Sequence, residues 1–450
     1  MKDFTLAEIA KACNGEYVGD ESLKNTKITS VERDSRQVKN GSLFLAIKGE
    51  RVDGHDFIEK CFAQGAVCAL CEKAPENATK PCIVVPSTLD AVKKIGRAYR
   101  EKFDIPVIGI SGSVGKTSTK EMLYAVLSQK FKTHKTQGNL NNELGVPLTL
   151  LSMPEDTEAA VIEMGISDFG EMTRLSEMVQ PTICVLTIIG ECHLENLGDR
   201  DGVLKAKTEM FKNARENADF ILNGDDDKLS TVKIVNGKKP VFFGLDAKND
   251  FYAKNIKNSG DGKILATLCF DNNNIDVEIP AIGTYMVTNA LAAAAAGKLL
   301  GLTDEEIANG VASYKTVGSR ANVINTGKIK IIDDCYNANP TSVRASLDTL
   351  SNLDGRKVAI LGDMKELGSE ELKLHFDTGV YAKSKDIGTV ITVGELAKEL
   401  AKGADGKAFD TIEDAKPEIL KTIKSGDVVL VKASHSMQFE NIVEFLKQNF

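Results

Sequence analysis

Short apolar runs alternate with helix-like segments along the whole chain. The runs are rich in β-branched residues and are bordered by turn residues, which is typical of buried strands. They read SLFLAIKG, GAVCALCE, CIVVP, PVIGIS, AAVIEMG, TICVLTII, DFILNGD, KIKIIDDC, KVAILGDM, TVITVG and DVVLVKAS. Because strands that alternate with helices form parallel sheets, the pattern predicts an α/β protein.

Two interruptions of this alternation predict three domains. The helix-like segment LDAVKKIGRAYREKFD ends just before Pro106, and ASYKTVGSRANVI follows an alanine-rich helix. We therefore expect an N-terminal domain over 1–100, a central parallel-sheet domain over 101–315 and a C-terminal Rossmann-like domain over 316–450. Residues 242–283 alternate apolar and polar positions between turns, which predicts a small antiparallel insertion in the central domain.

A phosphate-binding loop is predicted between the strand PVIGIS and the helix that begins in KTSTKEML. The strict Walker A spacing needs glycine where this chain has Ile110, so the loop is a variant. Gly112 and Gly115 let the backbone approach phosphate oxygens, and the helix N-terminus adds partial positive charge. Lys116 would reach the outer phosphates, and Thr117 would place a hydroxyl on Mg²⁺. The alternative is a glycine-rich turn without chemistry, which the strand, turn and helix context disfavours.

Other polar side chains follow predicted strands, at the edge where open parallel sheets bind ligands. Glu163 ends the run AAVIE and could hold the Mg²⁺ of a nucleotide, although a solvated strand end explains it equally well. His193 follows TICVLTII, and taken alone it is better explained as a structural histidine. Asp334 lies in the polar run DDCYNANP, of which a helix cap from Thr341 or Ser342 would explain only a part.

Composition restricts the classes of function. Lys and Arg number 56 and Asp and Glu number 64, a formal net charge of −8, so no overall positive field favours nucleic acid or an anionic membrane. The N-terminus lacks a secretory pattern and no stretch of about 18 apolar residues occurs, so we expect a cytoplasmic protein without membrane insertion. The nine cysteines are predicted to be buried thiols, and the pair Cys68 and Cys71 fits a strand better than zinc or redox chemistry.

Nine ordered segments make the sequence similar to the Mur ligases. They are GISGSVGKTSTKEM, GNLNNELGVPLTLL, EMGISDFGEM, HLENLGDRDGVLKAKTEMF, NGDDD, TNALAAAAAG, DDCYNANPTSVRASLDTL, ILGDMKELG and VLVKASHSM. The segment VERDSRQVKNGSLFLAIKGERVDGHDF resembles the first domain of that family, so the likeness covers essentially the full length. The DDCYNANP and LGDMKELG segments favour the type that adds D-alanyl-D-alanine to UDP-N-acetylmuramoyl-tripeptide.

The resemblance implies an ATP-dependent amide ligase. In such an enzyme the peptide carboxylate takes the γ-phosphate of ATP, and the dipeptide amine attacks the resulting acyl phosphate. The implied cofactors are ATP and two Mg²⁺ ions, and the implied partners are the two substrates, without nucleic acid. A monomer is expected. The third residue of the peptide substrate, lysine or diaminopimelate, stays open.

The resemblance also implies roles for individual residues. The implied catalytic residues are Lys116, His193 and Lys207. The implied metal-binding residues are Thr117, Glu163, His193 and Lys207, the last as a carbamate. The implied nucleotide-binding residues are Gly112, Ser113, Val114, Gly115, Lys116, Thr117, Ser118, Asn289, Arg320 and Asp334. The implied substrate-binding residues are Asp34, Ser35 and Arg36 for the UDP end, and Asn139, Asn141 and Asn142 for the muramoyl peptide.

Some positions depart from the family pattern. Ala433 and His435 stand where glycine and arginine are more usual, and Tyr285 and Met286 where a histidine is common. One alternative is a sister enzyme, either another Mur ligase or a folylpolyglutamate synthase-like ligase. A P-loop switch or motor protein is the other alternative, but the chain has no N-K-x-D base-recognition element.

Overall fold

Four β-sheets organise the chain in a computed structural model that describes residues 1–49, 51–259 and 262–450. The predicted α/β class is confirmed, since each large sheet is mainly parallel and carries helices between its strands. Each of the eleven apolar runs contains one strand. Short 3₁₀ helices lie at Glu21–Leu23, Gly54–Phe57, Glu209–Asn213, Leu229–Thr231, Gly368–Glu370 and His435–Met437.

The first sheet has the order β1-β5-β4-β3-β2, and β1 alone runs antiparallel to its neighbour. Its strands are β1 Glu16–Val18, β2 Ser30–Glu32, β3 Ser42–Leu45, β4 Cys68–Cys71 and β5 Cys82–Val84. Its helices are α1 Leu6–Cys13, α2 Ile58–Ala63 and α3 Thr88–Arg100. The strands β3 and β4 are buried along their whole length, which is why they read as continuous apolar runs.

The central sheet is parallel throughout, in the order β11-β10-β9-β6-β8-β7. Its strands are β6 Val107–Ser111, β7 Thr133–Lys135, β8 Ala159–Glu163, β9 Ile183–Leu186, β10 Asp219–Asn223 and β11 Val241–Phe243. Its helices are α4 Lys116–Leu127, α5 Gly145–Leu151, α6 Glu171–Val179, α7 Leu194–Leu197, α8 Arg200–Thr208, α9 Tyr285–Leu299 and α10 Asp304–Ala312. Ile110 is paired with Glu163 and Ser111 with Leu186, so β6, β8 and β9 end at one edge.

The predicted antiparallel insertion is confirmed as a three-stranded sheet in the order β12-β13-β14, although its first residues, 242 and 243, belong to the parallel strand β11. Its strands are β12 Tyr252–Asn258, β13 Ile264–Phe270 and β14 Asn273–Ile279. Residues 260 and 261 of the predicted insertion lie outside the described residues.

The last sheet has the order β15-β16-β20-β17-β18-β19, with only the edge strand β15 antiparallel. Its strands are β15 Asn322–Asn325, β16 Lys330–Asp333, β17 Arg356–Gly362, β18 Thr389–Val393, β19 Lys407–Phe409 and β20 Asp427–Lys432. Its helices are α11 Pro340–Ser351, α12 Glu371–Ser384, α13 Ala397–Ala404, α14 Ile412–Thr422 and α15 Glu440–Asn449. The N-cap of α11 is Asn339, whose side chain accepts from Ser342 N, while Ser342 Oγ accepts from Asn339 N; Ser342 thus takes part in the cap as suggested, and Thr341 does not.

The first two sheets share a core through α3. One hydrophobic cluster continues from Leu6 of α1 through Ile95 of α3 to Met172 of α6. Arg100 at the end of α3 is fully buried and donates to the carbonyl oxygens of Val179 and Phe103 at 2.9 and 2.7 Å. The helix α3 therefore belongs to both cores and holds the two sheets together.

The cysteines and the helices can be compared with the expectations of thiol burial and of no membrane insertion. All nine cysteines are buried free thiols, as predicted. In the described part of the chain, no helix has the length and apolarity needed to cross a bilayer.

Candidate nucleotide and metal site

The loop between β6 and α4 has the backbone shape that its glycines allow. Gly112 and Gly115 have φ values of +151° and +85°, where side chains are rarely tolerated. A Cβ at Gly112 would collide with Oγ1 of Thr187. Gly115 is the N-cap of α4, and no side chain of the described residues caps that helix, which leaves its first amides for a ligand.

Other loop residues are tied to the segment that follows β9. Ser113 N donates to the carbonyl of Ile188 at 2.8 Å, and Ser113 Oγ accepts from Gly190 N at 2.9 Å. Thr187 Oγ1 donates to the carbonyl of Val114 at 2.6 Å. Because these bonds hold both sides of the turn, the loop is preorganised before any ligand binds.

Two loop side chains extend from the start of α4. Lys116 folds back over the loop, where its Nζ donates to the carbonyl of Gly112 at 2.7 Å. Ser118 lies beside the hydroxyl of Tyr314, whose pKa is raised mainly by burial. The ammonium of Lys116 therefore lies at the loop, where the outer phosphates of a nucleotide would need a cation.

Thr117 and Glu163 meet at the carboxyl edge of the central sheet. Thr117 Oγ1 lies 3.0 and 3.2 Å from the two carboxylate oxygens of Glu163, to which it donates. Asn141 Nδ2 donates to Glu163 Oε1 at 2.8 Å, and Lys120 Nζ lies 3.5 Å from Oε2. Glu163 is only 2% exposed, so it is a buried paired carboxylate and not a solvated strand end.

Sequence reasoning missed Lys120. This lysine is 1% exposed and lies 3.3 Å from Glu121, in addition to its contact with Glu163. The only available signal was its spacing, one helical turn after Lys116, and that spacing also fits an exposed helix surface.

His193 lies in a left-handed backbone conformation, with φ of +51°, just before α7. Its Nδ1 is 2.5 Å from Oε2 of Glu366, a residue of the last sheet's domain. The two atoms are in close contact without the alignment of a hydrogen bond, and Nδ1 has no hydrogen-bond partner among the described residues. The ring therefore links the central sheet to the C-terminal part of the chain.

Lys207 is buried in α8 at 1% exposure. Within the described ranges its amine has neither a hydrogen bond nor an ion pair. Burial disfavours the ammonium and lowers the pKa of Lys207 to about 8, while Cys192 acts to raise it and Lys116 to lower it. Its neighbour Lys205 is exposed and lies over the ring of Phe169, so the two lysines are clearly distinguished.

Asn289 approaches the loop from α9, whereas Arg320 lies on the C-terminal part of the chain. Thr119 Oγ1 of α4 donates to Asn289 Oδ1 at 2.9 Å. The guanidinium carbon of Arg320 lies 3.6 Å from the ring centroid of Tyr336. The Tyr336 ring in turn lies 5.6 Å from His435. Arg320 and Tyr336 thus form a cation–π contact, and the Tyr336 and His435 rings are tilted against each other.

Asp334 is engaged by its own domain. Lys432 Nζ donates to Asp334 Oδ2 at 2.6 Å, and Ser346 Oγ donates to the same oxygen at 2.6 Å. Tyr285 of α9 faces Asp334, and its pKa is raised mainly by burial. The carboxylate thus lies where the last domain meets α9, and its hydrogen bonds with Lys432 and Ser346 stay within the last domain.

The predicted substrate residues fall into two groups. Asp34 and Arg36 form a bidentate pair with distances of 2.9 and 2.7 Å on the exposed turn after β2, and Ser35 lies between them. In the loop before α5, Asn142 Oδ1 accepts from Gly145 N, and Asn139 is exposed. The strand β2, which precedes the first group, contacts α5, which follows the second.

The donor groups suit a Mg²⁺ ion that is also bound by phosphate and water better than a metal ion held by protein side chains alone. Among the described residues there is no group of three His, Cys, Asp or Glu side chains that could hold a metal. Mg²⁺ typically uses one or two carboxylates together with phosphate and water oxygens. Two surface concavities of about 440 and 430 Å³ lie elsewhere, beside Ile234 and Phe445. The site is therefore identified by its donor groups and not by an enclosed cavity.

The chain is similar to known proteins over nearly its whole length. Three family models match the chain: the Mur ligase family catalytic domain over 27–101, the Mur ligase middle domain over 110–297, and the Mur ligase glutamate ligase domain over 319–435. The UDP-N-acetylmuramoyl-tripeptide–D-alanyl-D-alanine ligase of Bacillus subtilis (strain 168) is 36% identical over 457 aligned positions, which cover 98% of each chain.

Solved structures have the same fold over the full length. A crystal structure of MurF from Acinetobacter baumannii matches with a TM-score of 0.92 and 32% identity, covering 100% of this chain and 99% of that one. MurF of Thermotoga maritima in complex with ADP matches with a TM-score of 0.84 and 30% identity, covering 93% and 97%. The chain therefore belongs to the Mur ligase family.

Proposed function

We propose that this protein is an ATP-dependent ligase that joins D-alanyl-D-alanine to UDP-N-acetylmuramoyl-tripeptide, a step of peptidoglycan synthesis. The full-length likeness to enzymes with that name supports the substrates. The observation that carries the chemistry is the contact of Thr117 with the buried carboxylate of Glu163, directly after a glycine loop and an uncapped helix N-terminus. That arrangement suits a nucleotide phosphate with its cation.

The reaction proceeds by activation of a carboxylate. A carboxylate oxygen of the tripeptide attacks the γ-phosphorus of ATP, and the bond to the β-phosphate oxygen breaks to release ADP. The dipeptide amine then attacks the acyl carbon, loses a proton and expels inorganic phosphate. Lys116 would balance the negative charge on the moving phosphoryl group, since its ammonium already lies at the loop.

The first Mg²⁺ would be held by Thr117 and Glu163, which supply buried hydroxyl and carboxylate oxygens. When bound, Mg²⁺ neutralises phosphate charge and favours in-line transfer. Asn141 donates to the same carboxylate and would keep it oriented. The loop of Asn139 and Asn142 would thereby connect the peptide substrate to the nucleotide site.

His193 and Lys207 would serve the second cation. A neutral amine adds to CO₂ with loss of one proton, which forms a carbamate and replaces a cation with an anionic oxygen donor. Lys207 suits this reaction because burial without a partner disfavours its ammonium. Lys205 is exposed and has no such reason to react.

We propose that the three domains, 1–100, 101–315 and 316–450, act together. The first would contact the UDP end through Asp34, Ser35 and Arg36. The second would bind ATP through the loop and Asn289, and the third would contribute Arg320 and Asp334. Closure of these domains would keep water from the acyl phosphate. We further propose a cytoplasmic monomer.

A substrate panel tests this function. Phosphate release is measured with ATP, Mg²⁺ and UDP-N-acetylmuramoyl-tripeptide carrying either lysine or diaminopimelate, and with each candidate acceptor in turn. We expect release that depends on D-alanyl-D-alanine. Release driven by D-glutamate, or by a folate with glutamate, would identify a sister ligase instead. Steady hydrolysis without any acceptor would indicate a nucleotide switch.

A further inference from the structure

The segment 190–195, which carries His193, is held by side chains of the C-terminal domain. Glu191 accepts a hydrogen bond from Thr341 Oγ1 at 2.5 Å, and its other carboxylate oxygen lies 3.8 Å from Arg344. Both partners are in the first turns of α11. The segment after β9 is therefore bound on one side by the loop of the central sheet and on the other by a separate domain.

A second contact comes from the run ILGDMKELG, to which the proposed reaction assigns no task. Gly368 in this run packs against the backbone of Glu195, because a Cβ there would lie 3.3 Å from Glu195 Cα. Glu366 lies two residues earlier and places its Oε2 at 2.5 Å from His193 Nδ1.

The backbone at Glu366 is unusual for its residue type. Its φ is +64°, in the left-handed region that glutamate rarely adopts. Such a conformation persists only when the surroundings impose it. Met364 N donates to His375 Nε2 and Lys365 N donates to Ser434 Oγ, both at 2.9 Å, so the turn is held on both sides. The held turn directs the carboxylate of Glu366 towards the histidine.

We propose that Glu366 is a positioning residue that orients His193 across the domain boundary, so that docking of the C-terminal domain completes the second cation site. The carboxylate engages Nδ1, which leaves Nε2 as the ring nitrogen available to a cation. Histidines that bind metals commonly have a carboxylate against their other nitrogen, which holds the orientation of the ring. The inference rests on the proposed function, which assigns His193 to a cation.

The test compares Glu366→Gln with Glu370→Gln, a change of an exposed acid at the end of the same turn. Binding of Mn²⁺ in the presence of ADP is followed by electron paramagnetic resonance. We expect Glu366→Gln to weaken Mn²⁺ binding about 10-fold, the usual scale for losing such a partner. Glu370→Gln is expected to bind Mn²⁺ as the unchanged protein does.

The same change in a His193→Ala background separates positioning from a general structural role. If Glu366 acts through the histidine, Glu366→Gln has no further effect on Mn²⁺ binding once His193 is absent. An equal loss in both backgrounds, or an equal loss in Glu370→Gln, overturns the proposal. Glu366→Asn, which suits the left-handed backbone, is a second neutral replacement and is expected to reproduce the loss.

Failure of the proposed function is distinguishable from failure of this inference. If His193→Ala binds Mn²⁺ normally, the assignment of the histidine to a cation fails, and the positioning role fails with it. If His193→Ala loses Mn²⁺ but Glu366→Gln does not, only the positioning role fails. The substrate panel reports on the ligase reaction independently of both.

Discussion

Two lysines of the central domain are equally buried but have opposite surroundings. Lys120 lies 3.5 Å from Glu163 and 3.3 Å from Glu121, so its charge is compensated. Lys207 has no such partner among the described residues, and burial lowers its pKa to about 8. An unpaired buried amine is costly to charge and is therefore reactive as a neutral base. We therefore expect the first lysine to have a structural role and the second to take part in the reaction.

Replacement of Lys207 by alanine tests this assignment. We expect Lys207→Ala to lower kcat at least about 100-fold, the scale of losing one preorganised charged group near a phosphoryl transition state. The matched control is Lys205→Ala, which changes an exposed lysine of the same helix and should leave kcat unchanged. Both variants are assayed with and without added bicarbonate. Near-normal turnover of Lys207→Ala would remove this residue from the site.

At the scale of elements, the loop between β6 and α4 depends on close contact with the segment after β9. Gly112 touches Thr187, and Thr187 in turn holds the carbonyl of Val114. This contact leaves no room for a side chain. Both packing and the φ of +151° therefore require glycine at position 112. The loop and the residues that follow β9 therefore form one structural unit.

Substitution of Gly112 by alanine should displace Thr187 and open the loop. We expect Gly112→Ala to weaken ADP binding about 10-fold or more, measured by calorimetry, since misplaced amides lose their phosphate contacts. Gly237→Ala is the control, because this glycine also has positive φ, +81°, but has open space around its position. Equal effects of both changes on ADP binding would contradict the packing argument.

Strand prediction succeeded where burial is two-sided and failed at the edges. The interior strands β6, β8 and β9 are buried at every residue and read as apolar runs. The short strands β1, β2, β7, β15 and β19 contain mainly exposed or half-buried residues. Their pairing is decided by a neighbouring strand and not by their own composition.

On the scale of the whole molecule, the N-terminal and central sheets share one hydrophobic cluster. Arg100 fills the space between α3 and the end of α6 and donates to backbone carbonyls on both sides. Burial lowers the pKa of Arg100 to about 10, so the guanidinium stays charged at neutral pH. The C-terminal domain is attached through polar contacts such as Glu191 with Thr341 and His193 with Glu366, and through Ile282, which belongs to one of its hydrophobic clusters.

Loss of Arg100 should therefore loosen the N-terminal domain. Arg100→Met is expected to lower the free energy of unfolding by about 3 kcal/mol, because buried carbonyls lose their donors. The control is Arg97→Met on the same helix, whose exposed ion pairs with Glu101 and Glu177 contribute about 1 kcal/mol or less. Urea denaturation followed by circular dichroism measures both. Equal effects would show that Arg100 contributes no more than a surface pair.

The amino-acid sequence by itself determined the α/β class, the interior strands, the antiparallel insertion and the glycine loop with Lys116 and Thr117. These features are local, since hydrophobic periodicity and turn chemistry act between residues close in the chain. The ordered motifs also placed the chain in its family. Glu163 and His193 could be proposed from their positions at strand ends, but their surroundings could not.

Only the tertiary structure decided which side chains surround those positions. Glu163 is contacted by Lys120 and Asn141, and His193 by Glu366, all of them residues from other segments of the chain. The burial of Lys207 without a partner likewise depends on the segments that pack around it. Burial and charge compensation are properties of the packed molecule, because they depend on which distant segments exclude water from a group. A sequence pattern records the residue type at each position, and the fold determines the dielectric and the partners that it meets.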